Sequence, residues 1–113
     1  MAFEKTATLQ GSNDVYTLSA NLKKYTLRDN AFDELKTGNF QYLRTLTNDS
    51  VTNQEVKLKI VISNDLTKLK IATTTLNGLR PITIYKSAAF KEICEKYEFI
   101  MQDFLNKGIF EKK

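Results

Sequence analysis

Four groups of residues in this 113-residue chain have types and spacing that could do chemistry. The first is a set of lysines, Lys57, Lys59, Lys68 and Lys70, in two alternating segments joined by Asn64-Asp65. A two-residue loop at Asn64-Asp65 sets Ile60 opposite Leu69, Leu58 opposite Ile71 and Lys59 across from Lys70. The four lysines then share one face. Like charges directly opposed cost stability unless they splay into water or an anion lies between them. A basic sheet face can follow a nucleic-acid backbone. Here the interleaved residues are Val61, Ala72 and Ser63 rather than stacking aromatics, and the plainer reading is a solvated face that protects a sheet edge.

The second group runs from Arg28-Asp29-Asn30 to Lys36-Thr37-Gly38-Asn39 and holds the acids Asp29, Asp33 and Glu34. Paired carboxylates do acid–base work when one is buried; otherwise this is a capped turn. The third is Thr73-Thr74-Thr75-Leu76-Asn77-Gly78-Leu79-Arg80, where three hydroxyls, a glycine and an arginine suit a carboxylate or phosphate. Threonines also simply favour strands. The fourth is Cys94, which falls in an apolar helical stripe with Phe90, Tyr97 and Met101, a setting for a buried structural thiol rather than a reactive one.

Absences narrow the choice further. The chain has no histidine and no tryptophan, and Cys94 is its single cysteine. Imidazole-based catalysis, a Cys/His zinc site and an internal disulfide are therefore excluded. Any metal would be a hard ion held by Asp and Glu, and no carboxylate spacing asks for one. No P-loop and no GxGxxG is present. No cofactor is expected. The net charge of +4 gives a weak attraction for polyanions without naming a partner.

The element that must position these groups is the stretch Ser87–Asn106. Phe90, Ile93, Cys94, Tyr97, Ile100, Met101, Phe104 and Leu105 recur every three or four residues, which predicts one amphipathic helix. Ser87 stands at the N-cap position and Gly108 at the left-handed end, with Ile109 and Phe110 set to fold back onto Phe104. Upstream, strands are predicted at Phe3–Leu9, Val15–Leu18, Lys23–Arg28, Phe40–Thr47, across Val56–Thr75 as a hairpin, and at Ile82–Tyr85. Asp29 or Asn30 caps a single helical turn carrying Phe32 and Leu35 and ended by Gly38, and Asn48–Gln54 is a polar loop. The fold class is α+β in one domain over residues 1–113: about six short, mostly antiparallel strands packed on one long C-terminal helix. There is no apolar run near ~20 residues, and Met1–Gln10 carries Glu4 and Lys5 and does not read as a signal peptide. A cytoplasmic protein is expected.

Whole strings of the chain, AFEKTATLQGSNDVYTLS, KKYTLRDNAF, TGNF and ATTTLNGLRPITIY, resemble the DUF1831 family of lactic-acid bacteria, a family of unknown function. The resemblance spans essentially all of the chain. It implies two sheets packed on one helix, an architecture remotely like that of prokaryotic S-adenosylmethionine decarboxylases, and a role in amino-acid metabolism, including that of sulphur amino acids. Those decarboxylases cleave themselves at a Glu-Ser bond and use a histidine; this chain has neither. If such a fold keeps a ligand pocket, Arg28, Asp29, Asn39 and Arg80 are the candidate wall residues. No residue is assigned a catalytic role. The expected function is thus an accessory protein that binds a small metabolite or a protein partner, with weak nucleic-acid binding through the lysine face as the alternative. An enzyme relying on Asp29 and Asp33 is a third reading. Exposed sheet edges also leave room for a homodimer.

Overall fold

Alternation of apolar and polar residues decides the main sheet. The computed structural model describes residues 4–9, 11–12, 14–48, 54–86 and 90–112. Among these are seven strands and two helices. Strand β1 is Thr6–Ala7, β2 Tyr16–Leu18, β3 Asp33–Glu34, β4 Phe40–Asn48, β5 Gln54–Ile62, β6 Leu69–Thr74 and β7 Phe110–Lys112. Helix α1 is Lys24–Asp29 and α2 is Lys91–Asn106. One antiparallel sheet has the order β3-β4-β5-β6, the other β1-β2-β7. Alternate side chains of the larger sheet (Phe40, Tyr42 and Leu46; Val56, Leu58, Ile60 and Ile62; Leu69 and Ile71) are buried against a common core, while Arg44 on the same face of β4 is exposed. The α+β class and the packing of two sheets with one long C-terminal helix are as the sequence predicts.

Helix α2 supplies the cover. Its buried stripe is Ile93, Tyr97, Ile100, Met101 and Phe104. Phe104 sits at the centre of an aromatic cluster, 5.1 Å from Tyr42, 5.5 Å from Phe32 and 5.7 Å from Phe110, between ring centroids. The helix ends as expected: Gly108 has φ +77°, and the Ile109 N–H reaches back to the Phe104 carbonyl at 3.0 Å. This reversal delivers Phe110 onto Phe104 and starts β7, a three-residue strand too short to announce itself by alternation. The predicted Ser87 cap lies outside the described residues. The first described residue before the helix, Phe90, makes no side-chain cap.

The two sheets are stitched at their edges. Glu4 and Leu69 exchange backbone hydrogen bonds of 3.2 and 2.8 Å, tying the start of the chain to β6 before β1 turns to pair with β2. At the other end of β6, Ile82 donates to Thr73 and Thr75 to Arg80.

Several local predictions are corrected. The predicted strand Lys23–Arg28 is not formed: Lys24–Asp29 is helical, and only Lys23, before its first turn, is extended. Its alternation suits either form, but only the helix separates buried Leu27 from Tyr25, which is 64% exposed. The helix closes through Ala31 at φ 70°, with the Phe32 N–H on the Leu27 carbonyl. The helical turn expected within Asp29–Gly38 is therefore displaced upstream, and Asp33–Glu34 is a strand instead, followed by a tight turn at Gly38 (φ +89°). Ile82–Tyr85 forms no strand; only a bridge at Pro81 touches β6. The loop Asn48–Gln54 is shorter, because Asn48 and Gln54 pair as the last rung of β4 and β5; residues 49–53 lie outside the described residues. Phe3–Leu9 contributes only Thr6–Ala7 and the Glu4 bridge, with Phe3 itself outside the described residues.

The lysine hairpin keeps its faces but shifts its register by two residues. Ile62 pairs with Leu69, Ile60 with Ile71 and Leu58 with Thr73. The reason is the turn. Ser63 Oγ accepts from the Thr67 and Lys68 amides, Asp65 Oδ1 accepts from Ser63 Oγ, Thr67 N and Thr67 Oγ1, and Leu66 takes φ 59°. This hydrogen-bonded loop spans residues 63–68, so Lys68 is not in a strand. A shift of two preserves which side chains face the core. It also breaks the lysine apposition: Lys59 faces Ala72 and Lys70 faces Val61.

Candidate functional site

Three tyrosines that are far apart in sequence converge beside the first half of α2. Tyr16 opens β2, Tyr85 stands in the turn leading to the helix, and Tyr97 lies in the helix's buried stripe. The Tyr85 and Tyr97 rings meet edge to face at 6.4 Å. Tyr85 Oη donates to Glu98 Oε2 at 2.8 Å. Gly11 (φ +88°) packs so closely that an added Cβ would stand 2.9 Å from Tyr85 Cβ, so this approach admits only glycine. Asp14 is held nearby by Lys112 at 3.6 Å and by Thr8 Oγ1, which donates to the Asp14 carbonyl at 2.6 Å. Cys94 Sγ lies 3.1 Å from the Ile84 carbonyl and donates to it.

One atom in this cluster has no counterpart among the described residues. The Tyr97 hydroxyl is buried, on a residue only 1% exposed, and no described residue hydrogen-bonds to it. A buried hydroxyl without a partner costs about 1–3 kcal/mol, and such groups in folded proteins are normally paired.

The electrostatics of the cluster follow from burial. Burial first, and the nearby Asp14 and Glu98 carboxylates second, raise the Tyr16 phenol to about 12. Tyr85 is pushed well above the ordinary phenol range by burial and then by its hydrogen bond to Glu98. Tyr97 is pushed up by burial, then by its tyrosine neighbours. Burial, with Glu98 next, raises the Cys94 thiol. At neutral pH the site therefore presents protonated phenols and a protonated thiol beside two carboxylates. That set suits hydrogen bonding and recognition of a cationic group, not nucleophilic attack.

The residues singled out in the sequence lie elsewhere. Arg28, in the last turn of α1, pairs with Glu34 at 2.7 Å and stacks over Phe40 at 5.8 Å, and Asp29 ends the same helix. Asn39 adjoins Phe40, and its Oδ1 accepts from the Asn64 amide at 3.0 Å. Arg28 and Asn39 thus share the Phe40 end of the large sheet. Arg80 is at the opposite end, beside Thr75, about 20 Å away along a strand of this length. The structure does not bring it to the others. The three threonine hydroxyls near Arg80 donate within their own segment, to Ile82 O, Thr75 O and Asn77 Oδ1. Lys57, Lys59 and Lys70 do share the outer face of the sheet, while Lys68 stands in the loop. A groove of about 340 Å³ opens between β1 and β6, lined by Glu4 and Lys70 among others. Another of about 510 Å³ lies between β4 and α2. Among the described residues no group of three or more acids and cysteines could hold a metal ion.

The family model for DUF1831, described as "Putative amino acid metabolism", matches residues 1–111. The chain belongs to the DUF1831 family. A crystal structure of a DUF1831 family protein from Lactobacillus plantarum is 35% identical, with a TM-score of 0.89 over 100% of this chain and 99% of that one. No curated protein matches the chain. The two chains therefore share one fold, which in the described residues of this chain is two sheets with one long helix. No helix of its described residues is long and apolar enough to cross a membrane.

Proposed function

We propose that this DUF1831 protein is a non-catalytic accessory protein of amino-acid metabolism that binds a small metabolite at the tyrosine cluster. The observation that carries the reading is the buried, unpartnered Tyr97 hydroxyl. The ligand class that fits is a small molecule bearing a primary ammonium group, as free amino acids do, sulphur-containing ones included. Glu98 supplies the negative charge, with Asp14 shared with Lys112 beside it, the half-buried Tyr85 ring faces the cation, and the Tyr97 hydroxyl supplies a directed hydrogen bond. The family description supports the metabolic setting. Arg28 and Asn39 at the Phe40 end are a second place for a ligand carboxylate, in competition with Glu34 for Arg28, with Asp29 beside them for an ammonium group.

A thermal-shift panel of amino acids, S-adenosylmethionine and nucleotides tests this. A ligand at one hundred times its Kd adds about 2.7 kcal/mol, or about 4–8 °C in a domain near this size. The expected result is a shift with an amine-bearing metabolite that disappears in Tyr97→Phe and Glu98→Gln, and persists in Arg28→Ala and Arg80→Ala. No shift with any amine, or one indifferent to Tyr97 and Glu98, overturns the assignment.

The sheet face carrying Lys57, Lys59 and Lys70, each half-buried, favours a second reading, weak nucleic-acid binding. It requires affinity for short DNA or RNA that falls steeply with salt and is abolished by Lys59→Glu with Lys70→Glu.

A further inference from the structure

The two long edges of the large sheet are treated differently. The outer edge of β6 is engaged at Leu69 by Glu4, at Thr73 by Ile82 and at Thr75 by Arg80. The outer edge of β4 is paired with β3 only at Phe40 and Gln41. Parity identifies which backbone groups lie open. The Leu35 N–H donates to the Asn39 carbonyl at 2.7 Å, so odd-numbered residues of this strand point away from β5. The outward groups beyond β3 therefore belong to Leu43, Thr45 and Thr47. Of these, the Thr47 carbonyl accepts from Lys96 Nζ at 2.5 Å. Among the described residues no strand pairs with residues 42–48 on this side, and Thr45 stands at the midpoint of that stretch.

The surroundings of this edge are not those of a blunted one. Leu43 is 47% exposed on one face of the sheet, and Phe99 of α2 is 78% exposed on the other, at the rim of the 510 Å³ groove. The groove wall carries two cations, Arg44 and Lys96, and two anions, Glu92 and Glu95. A partner of strong single charge meets its own sign there. A copy of the same surface, turned about a two-fold axis, meets the opposite sign.

We propose that the open edge of β4 is a self-association surface, on which a second copy of this chain pairs antiparallel about an axis at Thr45. The Thr45 N–H of each copy donates to the Thr45 carbonyl of the other, and Leu43 lies across from the second copy's Thr47. Arg44 of each copy faces the acidic side of the other's groove, and the two Phe99 rings leave water. The resulting sheet is continuous across the dimer, an isologous interface that closes and leaves no β4 edge for further growth.

Sedimentation of the full chain over a concentration series tests the proposal. The wild type is expected to show a monomer–dimer equilibrium. Thr45→Pro removes an N–H that the β4–β5 ladder does not use and is tolerated on such an edge, so it should leave the circular-dichroism spectrum intact while raising the dimer Kd by about tenfold or more. Arg44→Glu should weaken the dimer similarly, and Arg44→Glu with Glu95→Arg should restore it. A wild type that stays monomeric up to about 1 mM overturns the proposal and leaves the edge to a peptide of another protein. So does a dimer indifferent to both Thr45→Pro and Arg44→Glu. None of these outcomes depends on ligand binding at the tyrosine cluster.

Discussion

At the scale of single residues, Tyr97 makes a pair of opposed predictions. Its ring fills the core and its hydroxyl is buried without a described partner. Removing the hydroxyl alone relieves a desolvated group, so Tyr97→Phe should leave the free protein as stable or more stable, by about 1 kcal/mol, in urea denaturation. The same variant should lose metabolite binding. A loss of stability without ligand would mean that a fixed partner already satisfies the hydroxyl. The cluster also sets a pH limit. The phenols of Tyr16, Tyr85 and Tyr97 have folded-state values raised above the ordinary 10.0, Tyr16 to about 12. A raised value means the unfolded chain gives up its protons first, so their contribution is complete below pH 10 and disappears as the pH rises through 12 and beyond. Following phenolate absorbance against pH should show these three tyrosines withheld until the protein unfolds. Smooth ionisation of every tyrosine near pH 10, with the fold intact, would contradict the buried cluster.

At the scale of elements, α2 and the 63–68 loop carry distinct tests. Phe104 is 3% exposed and touches Phe32, Tyr42 and Phe110, one residue from each of three other parts of the fold. Phe104→Ala should cost about 3–5 kcal/mol in denaturant unfolding, whereas an exposed position would cost well under ~1. The loop depends on Asp65, whose carboxyl is lowered from 3.8 to about 2 by hydrogen bonds from Ser63 and Thr67. A lowered value places its contribution above pH 3.8 and removes it as the pH falls through about 2. Carbon NMR of the side-chain carboxyls should find Asp65 titrating near 2, and Asp65→Asn should flatten that part of the acid limb of stability.

At the scale of the whole molecule, function and fold were not equally legible. The chain's resemblance to DUF1831 and its α+β class could be read from the sequence, because family strings and periodicity are local properties. Helix α2 and strands β4 to β6 were visible for the same reason: apolar spacing of three and four, or of two, marks which side chains will be buried. Where two periods fit equally, as in KKYTLR, only burial of Leu27 and exposure of Tyr25 decided for helix. Strand β7, three residues long, left no pattern at all and exists because Gly108 turns the chain back onto β2. The tyrosine cluster was missed altogether. Tyr16, Tyr85 and Tyr97 looked like ordinary strand and core residues, and no spacing links positions so far apart. A tally of buried residues that carry a polar tip would have been the only hint, and it could not have shown which hydroxyl lacks a partner.

By itself the sequence determined the faces: which side chains point to the core, where the long helix lies, and that imidazole chemistry is absent. The tertiary structure alone decided the register, the convergence and the open edge. The physical reason is that alternation fixes parity, and parity survives a slip of two residues, while the slip depends on how the Ser63–Asp65–Thr67 hydrogen bonds close the turn. Likewise, burial preference says that a tyrosine goes inside, but which groups meet its hydroxyl there depends on how separate strands and a helix are joined.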